Sequence, residues 1–154
     1  FIDLRDHGES ANNIISLRPY SFATIAKDVL RLMDELRIDK AIFVALSMGS
    51  LVIQKISELR PSAIEKAVIA GGIFDITRMI RIFANSATFK SVKLPYPLLA
   101  VMGEEDYMFL DPAKRFVQQQ LKATLRVIPN CGHICNIEKA DEFNRLALDW
   151  TKKS

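Results

Sequence analysis

Cysteine, histidine and tryptophan are scarce in this chain: two, two and one in 154 residues. Two cysteines, Cys131 and Cys135, are too few for the disulfide framework of a small secreted domain, so a reducing compartment, the cytoplasm, is the expected location. Long apolar runs are lacking too. The longest, such as residues 41–46, are of strand length, so no membrane span is expected. Charge of one sign is weak: 21 Lys and Arg face 18 Asp and Glu, a net +3, and the basic residues are scattered. That pattern does not make a nucleic-acid surface. There is no Gly-rich phosphate loop, internal repeat or low-complexity tract, so nucleotide binding is not indicated. What remains is 49% hydrophobic and 25% charged, the composition of one globular domain, here residues 1–154.

The apolar pattern alternates between two kinds of segment. Residues 1–4 read as the end of a strand before a turn at Gly8, and residues 12–19 as polar and irregular. Ser21 is placed to cap a helix whose apolar residues Phe22, Ile25, Ala26, Val29, Leu30, Met33 and Leu36 fall at helical spacing. Residues 41–46, 66–70, 98–102 and 124–128 are short, continuously apolar runs, which suits strands buried on both faces of a parallel sheet. Between and after them the pattern predicts helices over 48–59, from Pro112 with Asp111 as cap, and over 138–150. Such alternation implies an α/β fold, a mostly parallel sheet flanked by helices. Residues 73–97 break the rhythm with Phe74, Arg78, Arg81, Phe83 and Phe89. They are placed where a reduced cap or lid would sit.

Ser47 stands in Ala45-Leu46-Ser47-Met48-Gly49, between a buried strand and a helix. The segment resembles the small-x-Ser-x-Gly nucleophile elbow of the α/β-hydrolase family. The strand must turn sharply into the helix with the serine at its tip, so the residues two before and two after must be small. Gly49 fits, and Ala45 replaces the usual first glycine. A helix-capping serine is the competing explanation of the same five residues. Three more segments carry the resemblance. Asp3-Leu4-Arg5-Asp6-His7-Gly8-Glu9-Ser10 is similar to the Asp-x-Arg-Gly-x-Gly-x-Ser stretch after the family's fourth strand, with Asp6 in place of a glycine. Residues 97–106 resemble its seventh strand and acid loop. Pro129-Asn130-Cys131-Gly132-His133 resembles its histidine loop.

The resemblance implies a triad of Ser47, Asp106 and His133, with the Met48 N–H as an oxyanion donor. The family order of serine, acid, histidine fits His133 and not His7. Asp75 competes with Asp106 for the acid, Asp111 is better explained as a cap, and Glu104 and Glu105 as solvated loop charges. Cys131, His133 and Cys135 match no usual zinc spacing. The family's first three strands, and with them a second oxyanion donor, have no counterpart in the sequence. The domain is therefore expected to be an N-terminally truncated or partial α/β-hydrolase fold, with unpaired strand edges open to self-association. The implied activity is a serine hydrolase acting on a small-molecule carboxylic ester or related acyl compound, with no metal or organic cofactor. The same triad would serve a lactonase, an acyltransferase, a C–C hydrolase or a cofactor-free haloperoxidase, and the same fold a non-enzymatic receptor.

Overall fold

The computed structural model describes residues 2–10, 21–72 and 93–152. Four strands form one sheet in the order β1-β2-β3-β4: β1 Ala41–Leu46, β2 Ile64–Ala70, β3 Leu98–Gly103 and β4 Ala123–Ile128. All three pairings are parallel. The apolar runs thus become strands as expected. β2 begins two residues earlier than the sequence pattern suggests, and β3 includes Gly103.

The helices are α1 Phe22–Glu35, α2 Met48–Leu59, α3 Leu110–Gln118, α4 Cys135–Glu138 and α5 Ala140–Lys152. Ser21 caps α1, its hydroxyl accepting the Thr24 N–H at 3.2 Å. Arg37 closes α1 in a left-handed conformation, φ 55°, and the Ile38 N–H reaches back to the Met33 carbonyl at 2.8 Å. α2 stops before Arg60-Pro61, as the restricted pre-proline backbone requires. The Arg60 fork grips Asp34 at 2.6 and 2.8 Å and joins the ends of α1 and α2. That bond holds the exposed Asp34 carboxyl below its usual range.

Strand order rises steadily along the chain, and right-handed crossovers then put the connecting helices on one face. Buried residues of α1, α2 and β2 share one cluster there, and Phe116 of α3 packs against it. The opposite face is covered by α4 and α5, through Cys135, Phe143 and Ala147 against Val68, Leu99 and Val101.

Three expectations are corrected. Residues 2–4 form no strand. They are tied down by side chains instead: Arg5 grips Asp28 with two bonds of 2.5 and 2.7 Å, and the Asp3 carboxylate accepts the Glu9 N–H at 2.9 Å. Asp111 does not cap α3. The helix starts one residue before it, with Phe109 at the cap position, and Asp111 pairs with Lys114 in the first turn. The helix expected over 138–150 is α5, which starts two residues later, after Lys139 at φ −135° has left the helical region, and the short helix α4 precedes it unforeseen. The irregular stretch 12–19 and residues 73–92 of the expected lid lie outside the described residues. Residues 93–97 lead irregularly into β3, with Tyr96 buried. Burial pushes the Tyr96 phenol pKa up.

Candidate active site

Ser47 sits between β1 and α2 with φ 46° and ψ −110°, a strained conformation that few non-glycine residues adopt. A Cβ added at Gly49 would lie 2.9 Å from the Ala45 Cβ, closer than real methyl groups approach. The small residues on either side of the serine therefore meet each other across the turn. The Ser47 side chain makes no capping hydrogen bond to α2. That separates the two explanations of the motif, because a capping serine would spend its hydroxyl on the helix. Met48 opens α2, so its N–H is among the first-turn amides that have no carbonyl within the helix.

The hydroxyl is committed elsewhere. Ser47 Oγ lies 2.9 Å from His133 Nε2, and His133 Nδ1 lies 2.8 Å from Asp106 Oδ2. An ionised carboxylate can only accept, so the proton sits on Nδ1 and Nε2 offers its lone pair to the serine O–H. Asp106 is only 4% exposed, and its other oxygen accepts the Phe109 N–H at 3.3 Å. The Phe109 ring then lies against the imidazole, centroids 5.0 Å apart. This arrangement can move a proton from serine to imidazole and steady the resulting positive charge.

The loops carrying acid and histidine are joined along their length. The Glu105 N–H donates to the Cys131 carbonyl at 2.8 Å, and Glu104 accepts the Asn130 N–H at 3.3 Å. Glu104 is exposed, as expected, and also ties the two loops together. A Cβ at Gly103 would fall 2.0 Å from the Gly132 carbonyl oxygen, so only glycine lets the loops approach this closely. Gly71, at φ 51°, sits beneath His133. A Cβ there would meet the His133 carbonyl at 2.5 Å and its ring at 3.1 Å.

The structure brings Ser47, Asp106 and His133 together, with Met48 next to the serine. His7 is engaged locally, its Nδ1 2.9 Å from the Arg5 carbonyl. Asp75 lies outside the described residues. Cys131 and Cys135 are buried free thiols. The Cys135 thiol pKa is pushed up to about 11 by burial and by Cys131 beside it. Among the described residues no cluster of His, Cys, Asp and Glu is placed to hold a metal ion. Sequence reasoning passed over Phe109, Gly71 and Glu138, which shape the histidine's surroundings. Gly71 carried a visible signal, a glycine ending a buried strand.

The sequence profile described as "alpha/beta hydrolase fold" matches residues 1–95, more than half of the chain. The chain belongs to the α/β-hydrolase fold family. Among curated relatives of this α/β-hydrolase, Esterase YbfF of Escherichia coli (strain K12) is 26% identical over 96% of this chain and 60% of its own length. A 2-hydroxy-6-oxo-6-phenylhexa-2,4-dienoate hydrolase of Comamonas testosteroni is 41% identical over 56 residues, 36% of this chain and 20% of its own length. This chain thus spans from a fifth to three fifths of these relatives. Among solved structures, an enol-lactonase from Burkholderia xenovorans LB400 aligns with a TM-score of 0.81 at 20% identity, over 98% of this chain and 79% of its own. At that identity the likeness speaks for the fold. Among the described residues no helix is long and apolar enough to cross a membrane.

Proposed function

We propose that this α/β-hydrolase is a serine hydrolase that cleaves a carboxylic ester or related small acyl compound through an acyl-enzyme. The observation that carries the reading is the Ser47 hydroxyl, strained at the elbow, unused by the helix and 2.9 Å from His133 Nε2. Ser47 Oγ attacks the carbonyl carbon as its proton passes to Nε2. The oxyanion of the tetrahedral intermediate takes the Met48 N–H as one of its donors. Collapse breaks the bond to the leaving group, which departs with the proton from His133. Water then attacks the acyl-enzyme, giving its proton to His133, and the acid leaves as that proton returns to Ser47. Asp106 keeps the imidazole in the working tautomer throughout. The buried free thiols support a cytoplasmic location. β1 has no partner strand on its outer side among the described residues, and Ile42 and Val44 are exposed on one of its faces, which supports self-association at that strand.

The test is covalent labelling by a fluorophosphonate together with turnover of a short activated ester. Ser47→Ala and His133→Ala should abolish both. Asp106→Asn should lower turnover by roughly 10⁴-fold, since the tautomer is no longer enforced. Unchanged turnover in Ser47→Ala would refute the reading. A second reading, C–C bond hydrolysis, draws on the 41% local identity to the dienoate hydrolase. Turnover of an oxo-dienoate with inert esters would favour it.

A further inference from the structure

We infer that Glu138 is a positioning residue of the triad, holding His133 in place through the backbone on both sides of it. One carboxylate oxygen accepts the Gly132 N–H at 2.7 Å and the other accepts the Ile134 N–H at 3.1 Å. The two amides lie on either side of the histidine, one in the Cys131–Gly132 peptide unit and one in the His133–Ile134 unit, so a single side chain restrains the chain before and after it. The sequence around the histidine offers no substitute. Ile134 occupies the cap position of α4 and has no side chain that can cap, while Gly132 lends the loop no stiffness of its own.

Glu138 is itself held close to these amides. Its N–H donates to the Ile134 carbonyl at 3.0 Å, so backbone and side chain both fold back onto the loop. The opposite side of the histidine is already closed. Gly71 leaves no room beneath the ring and carbonyl, and the acid loop presses on residues 131 and 132. Glu138 supplies the remaining restraint, from the side facing α4.

Ile134 is exposed and Gly132 half-buried, so water can replace the carboxylate as a hydrogen-bond partner once it is removed. Water cannot reproduce two acceptors fixed on one rigid group. Removal of the carboxylate should therefore cost geometry more than stability. The cost falls on the step in which Nε2 takes the serine proton, where a misplacement near 1 Å costs about 10²-fold.

The inference rests on the triad reading, and the experiment separates the two. Glu138→Ala and Glu138→Gln would be compared with the natural protein by three measurements. These are the fluorophosphonate labelling rate, kcat and KM on an activated acetate ester, and the downfield proton resonance of the His133–Asp106 hydrogen bond. Glu138→Ala should lower kcat and labelling by about 10²-fold with KM changed less than about threefold, and should broaden or abolish the resonance. Glu138→Gln, which keeps one acceptor oxygen and turns an N–H₂ toward the other amide, should lose roughly 10-fold. Wild-type labelling and an unchanged resonance in either folded variant would overturn the inference, leaving Glu138 as a cap of α4 only. If Glu138→Ala does not fold, Glu138→Gln decides by the same criteria. If the natural protein neither labels nor hydrolyses esters, the hydrolase reading falls, and the resonance alone then decides. Its loss in Glu138→Gln supports positioning, and its persistence overturns it.

Discussion

β1 and β3 are each six residues long and apolar almost throughout, yet they end in different surroundings. Every residue of β3 is buried, whereas β1 alternates between half-buried and exposed along most of its length. One row across the sheet makes the contrast plain. Val44 pairs with Val68, and Val68 with Leu99. Their exposures are 58%, 0% and 2%. The side chains are alike, so the difference comes from position. Steady strand order puts the crossover helices α2 and α3 against one face, with α1 beside them, and among the described residues α4 and α5 cover the other. These reach β2 and β3 but stop short of Ile42 and Val44. Continuous apolarity therefore reports a strand suited to burial on both faces, not a strand whose two faces are covered among the described residues.

The largest test of that contrast is a pair of truncations. Leu99→Ala should destabilise by about 2–5 kcal/mol in urea unfolding, as removal of a buried leucine side chain usually does. Val44→Ala should change stability by less than about 0.5 kcal/mol. A loss at Val44 comparable with that at Leu99 would show that the outer face of β1 is covered in solution.

A smaller effect belongs to the thiol beneath β3. Cys135 lies against the Val101 carbonyl at 3.6 Å, with its pKa raised to about 11 from an ordinary 9.0. The folded state favours the neutral thiol. The stability this gives is fully present below pH 9. It falls as pH rises from 9 toward 11, because the unfolded chain ionises first. The loss should be on the order of 2 kcal/mol, and Cys135→Ala should flatten that part of the pH–stability curve.

The smallest effect on stability, with the clearest effect on association, should come from Ile42→Lys combined with Val44→Lys. Charges on this edge should leave the unfolding midpoint nearly unchanged and lower the mass seen by light scattering at high concentration. An unaltered mass would remove β1 as the associating edge.

The same positional logic explains what could be read from the sequence. The four strands were legible because local apolarity and length suffice to define them. Ser21 was legible as a cap, and Ser47 as an elbow, because both depend on neighbours within four residues. The approach of His133 to Ser47 could be expected from the family order and from there being only two histidines. Residues 1–4 looked like a strand because apolar composition cannot tell a strand from a segment held by Arg5 and Asp28, which are far apart in sequence. Asp111 looked like a cap because Pro112 marks a helix start only to within a residue or two. Glu138 gave no signal as a tether. A glutamate four residues after a loop position looks like any surface charge until the turn brings two amides to it.

The close approach across the elbow has one more consequence. Position 45 carries a methyl group, and position 49 then has no room for another. The turn tolerates one methyl at this crossing and not two. The motif is therefore a single joint rule rather than two separate requirements for small residues. Which amino acids are permitted at 49 depends on the choice made at 45, so the two positions should evolve as a coupled pair, with Ala45→Gly the change that first opens the way for alanine at 49.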